Sequence, residues 1–182
     1  MELYEKTLSS ELVYNGGLLK VYRDDIELIN GKTSWREVIR HPGAVVVVPI
    51  DEHDNIHLVR QYRYPYAKVV LEVPAGKLEF GEEPFPAAQR ELSEEIGADA
   101  ARWTELGQML PTPGFCDELQ HVYLAEGLTF GDIHPDEDEF LEHVVMPFEE
   151  AVAMAVDGRL EDSKTVAAIL RAWHVMEGER NG

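Results

Sequence analysis

The sequence predicts a layered α/β domain preceded by a small antiparallel β segment. Three observations carry that prediction. Ala44–Ile50 (AVVVVPI) is a short, almost purely apolar run, the pattern of a strand buried on both faces. A single helical pattern over Pro84–Ile96 stands between strand-like segments, and strands interrupted by single helices build layered α/β domains. Asn30-Gly31 lies between two strand-like segments and is a strong short-range hairpin signal.

In chain order, residues 1–40 read as β structure. Segments 18–29 and 32–40 flank Asn30-Gly31, and Asn15-Gly16-Gly17 marks an earlier turn. A hairpin alone is marginal in water, so this segment has to pack on the remaining chain or on a second copy. His41-Pro42-Gly43 punctuates the pattern, which divides the chain into an N-terminal β domain, 1–41, and a main domain, 42–182. Asp54-Asn55 turns into a strand at 56–63, and 69–73 precedes Pro74-Ala75-Gly76. The helix over Pro84–Ile96 stops at Gly97, suited to a left-handed cap. Strand-like segments follow near 103–110, 119–125 and 143–146. A helix at 147–156 ends at Asp157-Gly158. Asp162-Ser163 can cap a last helix, whose Val166, Ile169, Leu170, Trp173 and Met176 recur at helical spacing.

Composition narrows the function classes. The 182 residues carry 16 Lys+Arg against 35 Asp+Glu, a formal charge of −19. That balance argues against a duplex nucleic-acid binder, which presents cations to phosphates. No stretch approaches the roughly 20 apolar residues of a membrane helix. The first fifteen residues mix Glu2, Glu5, Lys6 and Glu11 with apolar ones instead of forming a signal-peptide core, so the expected location is cytoplasmic, away from membranes. The single cysteine, Cys116, excludes an intrachain disulfide and a multi-thiolate zinc site. The histidines show no HExxH-type metal spacing, and most read as incidental surface or strand residues. If such an acidic protein handles phosphates, something cationic has to mediate.

The candidate chemistry sits on the first helix. At about 100° per residue, Glu91, Glu94 and Glu95 form a carboxylate stripe beside a packing stripe of Phe85, Leu92 and Ile96. Like charges at Glu91 and Glu95, one turn apart, disfavour an isolated helix by a few tenths of a kcal/mol. A divalent cation reverses that sign, because hard ions such as Mg²⁺ take carboxylate, phosphate and water oxygens. Arg90 can orient a carboxylate through its planar fork. Taken alone, such a stripe also fits a solvated helix face.

The spacing adds to this. Gly76, five residues, Glu82, seven residues, then Arg90-Glu91-Leu92-Ser93-Glu94-Glu95-Ile96-Gly97-Ala98 resembles the Nudix box, GX5EX7REUXEEXGU, with U a bulky aliphatic residue. All seven fixed residues are present. The departure is Ala98, where a larger aliphatic side chain is usual, and the expected consequence is weaker packing at the helix end. The resemblance runs from about residue 42 to 178. The preceding β segment resembles the N-terminal region of one subfamily, the ADP-ribose pyrophosphatases, and Pro113, in Pro111-Thr112-Pro113-Gly114-Phe115, matches that subfamily's marker proline.

The resemblance implies a Nudix α/β/α sandwich with a mixed sheet plus the small N-terminal antiparallel β domain. It implies an intertwined homodimer, the N-terminal domain being its swapped dimerisation element. By similarity, the Ala75 carbonyl, Glu91 and Glu95 ligate Mg²⁺, with Mn²⁺ a possible substitute, and Gly76 permits a tight backbone path there. Glu82 would hold the loop. Glu139, in the acidic stretch 136–142, matches the glutamate that acts as base or additional metal ligand, and Glu137 would be the base if metal occupies Glu139. Arg63 and Arg40 match substrate-contacting arginines, and Trp35 matches an adenine-stacking aromatic. The implied reaction is attack of metal-activated water on the diphosphate of ADP-ribose, giving AMP and ribose 5-phosphate. A GDP-mannose or other nucleotide-sugar diphosphatase is the near alternative, and a non-catalytic ADP-ribose sensor the alternative of a different class.

Overall fold

The computed structural model describes residues 3–79, 81–133 and 140–180. The chain forms two compact units, Met1–Gly43 with Leu110–Leu119, and Ala44–Met109 with Gln120–Gly182.

The first unit is a three-stranded antiparallel sheet of β1 (Lys6–Asn15), β2 (Lys20–Glu27) and β3 (Thr33–Ile39), in that order. The expected Asn30-Gly31 turn joins β2 to β3. Gly31 takes φ +77°, and the turn closes through Leu28 N–H donating to the Lys32 carbonyl at 2.8 Å. Residues 110–119 lie far along the sequence but belong to this unit. Ile39 N–H donates to the Phe115 carbonyl at 2.7 Å, and Asp117 N–H donates back to the Ile39 carbonyl at 3.1 Å.

In the second unit β4 (Ala44–Ile50) is the central strand, with all seven residues buried. Its alternation separates two apolar cores. Val46, Val48 and Ile50 face Phe148, Ala151, Ile169 and Ala172. Val45 and Val47 face Ala87, Ala88, Leu92 and Ile96. The first core belongs to α2 (Phe148–Asp157) and α3 (Ser163–Arg180), the second to α1 (Pro84–Ile96). Helices on both faces make the expected α/β/α sandwich. The sheet runs β10 (Leu141–Pro147), β5 (Asn55–Arg63), β4, β9 (Gln120–Phe130), β8 (Ala98–Met109); β6 (Lys68–Glu72) pairs with β5, and β7 (Ala75–Lys77) with β4. β4 and β9 are parallel and the other pairs antiparallel, so the sheet is mixed.

α1 keeps its expected bounds. Prolines open it and Gly97 closes it at φ +65°, with the Gly97 N–H on the Leu92 and Ser93 carbonyls. Burying Leu92 and Ile96 contributes about 1.5–3 kcal/mol each, well above the few tenths lost to like charges on this helix. Two sequence expectations change. Ala98 is not at the helix end: it opens β8 opposite Phe130, buried in the α1 core. Trp173 is exposed, because the buried stripe of α3 centres on Thr165, Ala168, Ile169, Ala172 and Met176. Among the described residues no helix is long and apolar enough to cross a membrane.

Candidate metal and phosphate site

The site begins with strand pairing. β7 lies antiparallel to β4, Ala75 opposite Val46 and Gly76 opposite Val45, and Val47 N–H holds the Pro74 carbonyl at 2.9 Å. α1 packs on the same face, with Glu91 and Glu95 one turn apart and directed toward β7. Glu95 Oε2 accepts the Ala75 N–H at 3.2 Å. A Cβ built on Gly76 would lie 1.8 Å from Glu91 Cδ and 2.0 and 2.1 Å from its two oxygens. Gly76 is therefore required for room. Its φ is not among the positive ones, so left-handed freedom is not the reason.

Burial separates the two readings of the helix stripe. Glu91 is 8% exposed and Glu95 5%, which no solvated face would give. A buried carboxylate has to be paired. Arg90 supplies part of the pairing. Its Nε and Nη2 donate to the two oxygens of Glu82, each at 2.9 Å, and its Nη1 donates to Glu91 Oε1 at 2.8 Å and Glu94 Oε2 at 2.7 Å. The Glu82 bond, with help from Glu91 and Glu94 and against desolvation, raises the guanidinium's proton affinity, so Arg90 stays charged. Arg90 and the Glu79 N–H hold Glu82 below the ordinary carboxylate range. Glu82 thus ties the loop to the helix. One guanidinium thus bonds three carboxyl groups, those of Glu82, Glu91 and Glu94, while Glu95 accepts the Ala75 N–H.

That donor set fits a hard divalent cation. Among the described residues no three acidic, histidine or cysteine side chains form a complete ligand cluster. Mg²⁺ does not need one, since it is commonly held by one or two carboxylates with substrate phosphates and water. Glu91 and Glu95 are the carboxylates that the structure brings against Gly76 and Ala75.

The other site residues fall in both units. Arg63, at the end of β5, donates through Nε and Nη2 to both oxygens of Glu72, each at 2.6 Å, leaving Nη1 outside this pair. Glu72 is 2% exposed. Burial alone would raise its pKa, but Arg63 and Lys164 prevail and lower it. In the first unit Trp35 is 52% exposed, with the Arg23 guanidinium 5.5 Å from its ring centre. Arg40 donates from Nη2 to Asp24 at 2.8 Å and from Nη1 to Asp117 at 3.2 Å. Pro113 sits in a turn where Phe115 and Cys116 donate to the Thr112 carbonyl at 3.2 and 3.0 Å. With Arg36, Leu110 and Phe115 it lines an open cavity of about 440 Å³. Glu137 and Glu139 lie outside the described residues.

Residues 40–169 match the family model of the NUDIX domain, and residues 5–39 match the nucleoside diphosphate sugar hydrolase N-terminal domain. The chain belongs to the Nudix family. It is 44% identical over 167 residues to the methanol dehydrogenase activator of Bacillus methanolicus, covering 91% of this chain and 90% of that one. It is 42% identical over 169 residues to the ADP-ribose pyrophosphatase of Bacillus subtilis strain 168, covering 92% and 91%. A crystal structure of an ADP compounds hydrolase superposes with TM-score 0.88 at 27% identity, over 98% of each chain. The Nudix box of this chain is thus the assembly of β7, the Glu82 loop and α1 described above.

One buried group escapes the Nudix motif. His57, on β5, is nearly fully buried. Its Nδ1 lies 2.9 Å from His143 Nε2 and its Nε2 lies 3.3 Å from Asp51 Oδ2, with Phe130 stacked on the ring at 4.8 Å. Burial would raise the Asp51 pKa, but bonds from Asn55, the His53 N–H and His57 bring it down to about 2. Residues 57 and 143 are too far apart in sequence for spacing to link them. His57 lies inside a run of four buried residues, 56–59, so no inside–outside alternation marked it in the sequence.

Proposed function

We propose that this Nudix protein hydrolyses the diphosphate of ADP-ribose, adding water across the P–O–P bond to give AMP and ribose 5-phosphate, with Mg²⁺ as the cation. The buried pair Glu91 and Glu95, packed against Gly76 and Ala75, carries the reading. The relatives' names and the N-terminal match support the nucleotide-sugar substrate class. A divalent cation held there supplies the positive charge that a −19 chain lacks and acidifies attacking water.

The chain's own groups then position the reactants. Ala75, Glu91 and Glu95 present oxygens to the cation, and Arg90 keeps Glu91 and Glu94 in place. Arg63, already oriented by Glu72, offers Nη1 to a phosphate oxygen. Trp35 offers an open ring face for adenine, a contribution of about 1–3 kcal/mol in other base-stacking proteins. Arg40 spends both Nη atoms on Asp24 and Asp117, and so ties the segment carrying Pro113 to the end of β3. Glu139, with Glu137 as its substitute, remains the base proposed from sequence. Positioning and charge neutralisation account for most of the rate in such phosphorus chemistry.

A homodimer is part of the proposal. Every residue of β1 is exposed, among them Leu8, Leu12, Val13 and Tyr14, a long apolar edge that isolated sheets rarely leave open. Sedimentation at the mass of two chains is expected, and a stable single-chain species contradicts it.

The enzymatic test is a product assay on ADP-ribose and GDP-mannose with Mg²⁺, repeated after chelation. Cleavage of ADP-ribose that stops with chelation and resumes with added Mg²⁺ is expected. Faster cleavage of GDP-mannose would move the substrate assignment, turnover indifferent to chelation would remove the cation, and binding without turnover would favour a sensor.

A further inference from the structure

The second unit contains a polar network that the Nudix box does not include. It starts at the N-terminus of α3 and ends at the backbone just before Ala75. Asp162 Oδ2 accepts the Thr165 N–H at 3.0 Å, as a helix N-cap does, and the Thr165 hydroxyl at 2.6 Å. The same Thr165 Oγ1 accepts the Val73 N–H at 3.0 Å. Thr165 is fully buried, so nothing in solvent can replace that bond. Lys164 donates to Asp162 at 2.9 Å and bonds Glu72, which in turn holds Arg63 through both oxygens. Two cations and two carboxylates alternate along Arg63, Glu72, Lys164 and Asp162, so the chain of charges is balanced.

The geometry of segment 72–75, which links β6 to β7, makes this more than a staple. Consecutive groups are each fixed by a different partner: the Glu72 carboxylate by Lys164 and Arg63, the Val73 N–H by Thr165, the Pro74 carbonyl by Val47 N–H, and the Ala75 N–H by Glu95. Pro74 has one backbone torsion locked by its ring, so a shift at Val73 passes to Ala75 with little slack. β4 holds this segment through Val47, and α3 holds it through Thr165.

We infer that Thr165 and Lys164 are positioning residues for the metal site, setting through Val73 and Glu72 where the Ala75 carbonyl and the Glu95 carboxylate stand. The inference rests on the proposed cation site and reaches it from a helix that carries none of the expected ligands. Partners one shell removed from metal ligands typically change affinity or activity by about 10- to 100-fold when removed.

Thr165→Val keeps the shape of the side chain and deletes the hydroxyl; Thr165→Ser restores it. Mn²⁺ binding, followed by the electron paramagnetic resonance of the free ion, is measured beside kcat and KM for ADP-ribose at a temperature where circular dichroism shows the variant folded. Thr165→Val is expected to weaken Mn²⁺ binding about tenfold and to lower kcat, with Thr165→Ser close to wild type. A variant that melts earlier yet binds Mn²⁺ as the wild type does would overturn the inference, since a merely structural bond would do that. If Thr165→Val does not fold, Lys164→Met serves: weakened Mn²⁺ binding supports the role and unchanged binding overturns it. A wild-type protein that binds no Mn²⁺ contradicts the cation site itself, and the inference falls with it.

Discussion

Gly76 and Glu91 state the site's requirement at the scale of single residues. A methyl group on Gly76 would occupy the volume of the Glu91 carboxylate, at 1.8 Å from its Cδ. Either Glu91 leaves or β7 moves, and both disturb the oxygens proposed to hold the cation. Gly76→Ala is therefore expected to reduce kcat by at least about 10- to 100-fold, with a stability cost of about 1–3 kcal/mol from overpacking. Turnover and thermal melting measured together check this; near-wild-type turnover would show that Glu91 can stand elsewhere. The sequence held the spacing of Gly76, Glu91 and Glu95 but not this reason for the glycine. Spacing suggested backbone freedom, whereas the cause is steric. Arg90 was legible as a fork that orients a carboxylate, but not as the hub of three, because the loop that brings Glu82 back to it follows no helical periodicity.

At the scale of elements, α1 and β4 were readable because their signals are local. Pro84 and Gly97 are physical stops, and an unbroken valine run has few places to go but the centre of a sheet. β1 gave no comparable signal, since every residue of it is exposed and no inside–outside pattern exists to read. β8 starts five residues before its expected position because Ala98, Asp99, Ala100 and Ala101 have little strand preference, and pairing with β9 overrides it. The meeting of β5 with β10 puts His57 against His143, and this has a consequence for pH. Burial, and then the charge of His57, lower the His143 pKa below 6.5. The unfolded chain therefore takes up the proton first as pH falls. The stability this group contributes is complete above about pH 6.5 and is lost below it. Asp51, with a pKa of about 2, loses its contribution only between about pH 4 and 2, so the two effects are separable. The melting temperature is expected to fall between pH 7 and 5.5 in the wild type and to fall less steeply in His143→Asn. Equal slopes would dissociate the pair from this dependence.

At the scale of the whole molecule, the charge of −19 and the anionic substrate pose one problem with one answer. Two like-charged partners approach each other only if cations intervene, and the proposed place for them is the buried pair Glu91 and Glu95, beside the three carboxyl groups that Arg90 bonds. The layered fold was legible because each layer leaves its own periodicity in the sequence. The division into units was less so, since residues 110–119 join β3 by backbone hydrogen bonds from far along the chain, and no composition shift marks them. The network from Thr165 to Val73 was invisible for the same reason: its ends are 92 positions apart. All of these features converge on whether Glu91 and Glu95 exist to hold a divalent ion. Calorimetric titration of Mn²⁺ into the wild type and Glu95→Gln, with and without AMP, asks this directly, because glutamine keeps an oxygen for the Ala75 N–H while removing the charge. Saturable binding in the wild type, weakened about tenfold or more in the variant, is the expected result; identical isotherms, or no binding by the wild type under either condition, would contradict it.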